Sequence, residues 1–255
     1  MKTQLHHAVL IAGAFCLAVP ATHAAEVKVL TAGAFKQVVL ALVPAYERKT
    51  GNKVIVDNGT TGQLKKRIAD GEDFDIVVIT PAVVDEMIVS GKVAAGSKTI
   101  LASVGIGVVV KEGAFKPDIG TVEKFKEALL KAKSVAYIDP KSGGSSGIYI
   151  DKLLEKLGIA DQIRPKAKLK KGGHVADLIV SGEAELGIHQ ISEIVPVKGV
   201  TLVGPLPKEI QNTTTYAAGM SASTKEKIAA KELIEYLSGT DAAAVLKSKG
   251  MDKAS

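Results

Sequence analysis

The chain has a single cysteine in 255 residues, Cys16, and it lies inside an apolar run near the start. One cysteine cannot form a disulfide within the chain, so the fold must rest on its hydrophobic core. No metal-ligand spacing, internal repeat or low-complexity tract occurs, so neither a metal nor another cofactor is expected. After the first two dozen residues no run is long and apolar enough to cross a membrane. Aromatic residues are only 4% of the chain, and none interleaves with the densest basic run, Lys166-Ala-Lys-Leu-Lys-Lys171. Nucleic acid is therefore not an expected partner, and the run reads as a solvated face.

Residues 1–24 read as a secretory signal: Lys2 is the positive start, Ala8–Val19 the apolar stretch, and Thr22-His23-Ala24 a cleavage site before Ala25. Phe15 before Cys16 is too large for a lipoprotein cleavage site, so no lipid anchor is expected. Cleavage would remove Lys2, take the formal net charge from +6 to +5, and leave His174 and His189 as the two histidines. The expected location is the periplasm, and the remaining length suits one large domain or two smaller ones.

Short apolar strands alternate with amphipathic helices, the pattern of an α/β protein with mostly parallel sheets. Val27–Leu30, Lys53–Val56, Asp75–Ile79, Gly105–Val110, Ser134–Ile138, Ala184–Ile188 and Thr213–Met220 read as strands. Helices are expected after each of the first three, over 122–131, 147–157 and 173–181, and at 224–237 and 241–249. Gly105–Val110 and Thr213–Met220 read as crossings between two lobes, the first holding 25–105 with 215–255 and the second 106–214.

Two turns carry the functional signal. Gly59-Thr60-Thr61-Gly62 joins a strand to a helix, and Asp139-Pro-Lys-Ser-Gly-Gly-Ser145-Ser146-Gly147 does so again. A small, hydroxyl-bearing turn at a helix N-terminus offers unpaired N–H groups and the positive end of the helix dipole to an anion. The plain alternative for each is an ordinary Ser or Thr N-cap. Together they predict two lobes closing on one small anion.

The chain resembles the periplasmic molybdate-binding proteins of ABC importers. The likeness is carried by Val29-Leu-Thr-Ala-Gly-Ala-Phe35, Ala45-Tyr-Glu-Arg-Lys-Thr-Gly51, Asn58–Leu64, Phe74–Val78, Asp139-Pro140, Gly147-Ile-Tyr149, Ile179–Ile188 and Ala244–Gly250. That resemblance implies a two-lobed type II periplasmic-binding-protein fold, each lobe a mostly parallel sheet flanked by helices. It also implies a monomer with an importer's membrane component as partner. Ala34 stands where the family has a serine, Lys36 follows, and His189-Gln190 replace an aromatic. These longer donors favour a small organic polycarboxylate over molybdate or tungstate. They point to the family's organic-acid relatives, periplasmic aconitate isomerase among them.

The candidate ligand contacts are Ala34, Phe35, Lys36, Thr60, Thr61, Ser145, Ser146, Tyr149, His174, His189 and Gln190. His189 follows a strand end, where ligand contacts gather, and can exchange a proton near neutral pH. Lys36 and Tyr149 are the other candidates for a catalytic role. Each has a plain alternative: a structural or capping histidine, a solvated lysine, a packed tyrosine. Arg48, Arg67 and Arg164 read as surface residues. Two functions stay open: a carrier that delivers a polycarboxylate to an importer, and an isomerase that moves a double bond in a tricarboxylate. A hydrolase is not expected, since no Gly-x-Ser-x-Gly elbow is read in the chain and the expected mature form has no cysteine.

Overall fold

A computed structural model describes residues 24–254. Apart from Ala24, the expected leader, Cys16 included, lies outside these residues. In chain order the elements of the first half are β1 (Glu26–Ala32), α1 (Gly33–Thr50), β2 (Lys53–Gly59), α2 (Thr61–Ala69), β3 (Ile76–Ile79), α3 (Pro81–Val89), β4 (Thr99–Lys111) and α4 (Val122–Lys131). Then follow β5 (Val135–Ile138), α5 (Ser145–Lys156), α6 (Ala160–Ile163), β6 (Ala167–Lys170), α7 (Ala176–Val180), β7 (Leu186–Gln190), α8 (Ile191–Ile194) and β8 (Val200–Pro205). The chain ends with β9 (Thr213–Met220), α9 (Lys227–Ser238), α10 (Thr240–Ser248) and β10 (Asp252–Lys253).

The strands lie in the order β2-β1-β3-β9-β4-β7-β5-β6, with β8 and β10 also paired to β4. Pairs among β1, β2 and β3, and among β5, β6 and β7, are parallel. Strand β4 belongs to both halves: Thr99–Gly105 pairs with β9, and Ile106–Val110 pairs with β7. The inner parallel strands β3 and β5 read as unbroken apolar runs because helices cover both faces. Every residue of β3, β5 and β7 is buried.

Four apolar clusters cover the two faces of each half. The largest joins Phe35, Val38, Val39, Leu42 and Tyr46 of α1 to Leu233, Leu237 and Leu246 of the C-terminal helices. Each fully buried side chain of this size contributes about 1.5–3 kcal/mol. The Tyr46 hydroxyl donates to the Ala229 carbonyl at 3.0 Å, tying α9 to α1.

One expectation needs revising. The helix expected over 173–181 covers only Ala176–Val180, because Gly173 takes φ +73 and turns the chain before it. The basic run forms the edge strand β6, parallel to β5. Lysines there keep an open strand edge from pairing with another chain.

Candidate functional site

One cavity collects the C-terminal ends of β1, β2, β5 and β7 and the helices that follow them. Open α/β sheets bind ligands at this edge because strand ends deliver helix N-termini there. Lining it are Gly33 and Ala34 of α1, Thr60 and Thr61 at α2, and Gly144, Ser145 and Ser146 at α5. His189, Gln190, Glu193 and Tyr216 complete the wall. No lysine or arginine is among the lining residues.

The three helix starts differ. At α2, Thr60 is a full N-cap: its hydroxyl accepts from Gln63 N at 3.1 Å, and Gln63 Oε1 accepts from Thr60 N at 2.8 Å. At α1 and α5 no side chain caps the helix. Their first N–H groups have no side-chain partner, and both helix starts line the cavity.

The two turns touch. The Thr60 hydroxyl also donates to the Ser142 carbonyl, Gly62 N donates to Gly143 O at 3.1 Å, and Gln63 Nε2 donates to Lys171 O at 3.0 Å. The Thr60 hydroxyl thus serves the cap and the bridge between turns. The space enclosed is about 30 Å³. That is room for roughly two waters.

Gln190, buried at the end of β7, organises the back wall. Its amide nitrogen donates to Ser145 Oγ at 3.1 Å, and its oxygen accepts from the Tyr216 hydroxyl at 3.0 Å. Burial pushes the Tyr216 phenol well above its ordinary value, with the Glu193 charge adding to the effect. Tyr216 is therefore a neutral hydrogen-bonding group.

His189 and Glu193 form the other wall. His189 Nε2 lies 3.2 Å from Glu193 Oε2, and the residues are 1% and 6% exposed. His189 Nδ1 is buried and makes no hydrogen bond. The carboxylate lies so close to α1 that a Cβ built on Gly33 would stand 2.4 Å from Glu193 Oε1. His174 Nδ1 donates to the Glu193 carbonyl at 2.9 Å, which anchors α8 from the turn before α7.

The cavity brings together Ala34, Thr60, Thr61, Ser145, Ser146, His189 and Gln190 from the residues singled out in the sequence. Phe35, Lys36, Tyr149 and His174 do not line it. Phe35 is buried in the core against α9 and α10. The Tyr149 hydroxyl donates to the Ile210 carbonyl at 2.7 Å. Arg67 pairs with Asp57 and Glu72, and Arg164 with Asp151 and Glu155. Glu193 and Tyr216 were not singled out. The signal for Glu193 was present, a carboxylate four residues after a strand-end histidine.

Contrary to the expectation, the α5 turn does have the Gly-x-Ser-x-Gly spacing, at Gly143-Gly144-Ser145-Ser146-Gly147. A nucleophile elbow needs its serine hydrogen-bonded to a base. Here Ser145 Oγ accepts from Gln190 and His189 Nδ1 has no partner, so that relay is not assembled. Among the described residues, no group of three or more His, Cys, Asp or Glu could hold a metal ion. No described helix is long and apolar enough to cross a membrane.

Comparison with known proteins agrees with this architecture. The chain is 33% identical over 229 residues to a Pseudomonas sp. aconitate isomerase, covering 88% of this chain and 86% of that protein. It is 28% identical over 260 residues to the Azotobacter vinelandii molybdate-binding protein ModA, covering 98% of each. The solved structure of the Azotobacter vinelandii periplasmic molybdate-binding protein superposes with a TM-score of 0.77 at 21% identity, over 90% of this chain and all of that one. That structural neighbour is a periplasmic binding protein, the fold class that the resemblance implied. The model of the bacterial extracellular solute-binding proteins matches residues 27–252, and the chain belongs to that family.

Proposed function

We propose that this solute-binding protein takes a small organic polycarboxylate, of the tricarboxylate class that includes aconitate, into the cavity described above. The ligand lies between a lobe of 25–105 with 215–255 and a lobe of 106–214, which close over it in the periplasm. Backbone N–H groups at α1 and α5 and the hydroxyls of Thr61, Ser145 and Ser146 meet its carboxylates, with His189 and Gln190 as the longer donors. One observation carries the reading: Glu193 sits in the wall of an anion cavity that has no lysine or arginine to offset it. A compact, fully ionised oxyanion would lie against that carboxylate. A larger anion can place its charges at the helix N-termini and a less charged part beside Glu193. The 33% identity to an aconitate isomerase supports the same ligand class.

A thermal-shift panel tests this. A ligand that binds only the folded state adds about 2.7 kcal/mol of apparent stability at a hundred times its dissociation constant. Di- and tricarboxylates are expected to shift the melting temperature, and molybdate, tungstate and sulfate are not. A shift with the oxyanions alone overturns the assignment.

A second reading is favoured by the buried His189–Glu193 pair. An allylic proton shift needs donors near one carboxylate and one positioned acid/base. The pair supplies the second at the cavity wall. His189→Gln should then keep much of the binding and lose about 10²–10⁴-fold in the rate of cis/trans aconitate interconversion. Binding without interconversion by the unaltered protein leaves the carrier, which delivers its ligand to a membrane importer.

A further inference from the structure

We infer that the site takes up its anion together with one proton, held on His189 at Nδ1. This rests on the cavity being the anion site, as proposed above. The Nε2 edge of His189 faces the Glu193 carboxylate at 3.2 Å, so the hydrogen of a neutral ring sits on Nε2. Nδ1 is then a bare lone pair. It is buried, in a residue that lines the cavity, and nothing donates to it. An unpaired buried acceptor is unfavourable. An anion cannot relieve it, because an anion brings acceptors. Only a protonated Nδ1 can hydrogen-bond to a carboxylate oxygen.

Charge leads to the same state. The wall holds the Glu193 carboxylate and no lysine or arginine. The groups that meet the pair do not offset it. From β9 comes Tyr216, held neutral by burial. From the turn before α7 comes His174, whose Nδ1 bonds to the Glu193 backbone. From α1 comes the Gly33 backbone, and from β4 comes Gly107, opposite His189 in the register. A polyanion added to this wall favours the imidazolium, since an opposite charge nearby stabilises the charged form.

The test is calorimetry of the full chain at about pH 8, above the ordinary histidine range. Trans-aconitate, tricarballylate and molybdate serve as probes, each in two buffers of different ionisation heat. Whichever probe binds should draw about one proton from the buffer, and its dissociation constant should rise up to about tenfold per pH unit above neutrality. His189→Gln, with its fold checked by circular dichroism, should show no proton uptake and a flat pH dependence. No uptake by the unaltered protein, or one proton still taken up by His189→Gln, overturns the inference. If molybdate binds and the tricarboxylates do not, the proposed ligand class fails while the proton count on molybdate still decides the coupling. If no probe binds, the anion site falls and this inference with it.

Discussion

Gly62 and Gly143 stand face to face where the two turns meet, with Gly62 N donating to Gly143 O at 3.1 Å. A Cβ on Gly62 would lie 2.7 Å from Gly143 Cα, which is backbone and cannot swing aside. Gly143 also has φ +73, where a side chain is strained. This contact therefore requires glycine at both positions. Gly62→Ala should disfavour it by about 1–3 kcal/mol, the usual cost of forcing an extra carbon into a packed contact. Small-angle scattering of the protein alone checks it. The variant should show a larger radius of gyration than its parent, and equal values would mean that the contact does not hold the two turns together.

Arg67 holds α2 against the start of β3 through Glu72. Its guanidinium donates to both Glu72 oxygens, one at 2.7 Å, and Lys28 Nζ donates to the same carboxylate at 3.0 Å. Arg67 first and Lys28 second pull the Glu72 carboxyl down to about 2 from its ordinary 4.5. A depressed folded-state value gives stability that is fully present above the unfolded value. It is lost as pH falls from 4.5 through about 2. Arg67→Met should lower stability near neutral pH by about 1 kcal/mol, the scale of a part-exposed ion network. The deficit should shrink as the pH approaches 2. Urea unfolding at several pH values measures this, and a deficit independent of pH would place the effect in packing instead.

The two turns were legible because their signals are local. A glycine and hydroxyl cluster between an apolar run and a helical pattern sets a helix start wherever the chain later goes, and α2 and α5 begin within it. The cavity's far wall was not legible. Glu193 lies in a four-residue helix, too short for periodicity to register, and it reaches the site because α8 folds back onto Gly33. Tyr216 reads as one residue of a crossing strand until β9 pairs with β4 and brings its hydroxyl to Gln190. Lys36 failed to reach the cavity for a related reason. Position in the first turn of a helix does not fix which side of that turn a side chain takes, and Phe35 and Val38 turn the buried side of α1 to the core.

Glu193 makes a prediction about selectivity that can be tested without knowing the physiological ligand. Its carboxylate is 6% exposed, in a cavity whose other groups are helix starts, hydroxyls, an amide, an imidazole and a phenol. Two unit charges 4 Å apart interact by about 4 kcal/mol at an effective dielectric of 20. A dianion such as molybdate therefore meets strong repulsion unless a proton intervenes. Glu193→Gln keeps the shape and removes the charge. It also replaces an acceptor by an amide that can donate to the anion. The variant should bind molybdate or sulfate at least about tenfold more tightly than its parent, equivalent to about 1.4 kcal/mol. Tricarboxylates should gain less, since they can keep their charges away from this wall. Competition calorimetry with both ligand classes measures the ratio. A variant whose preference between oxyanions and tricarboxylates matches its parent's would show that Glu193 does not set the selectivity of the site.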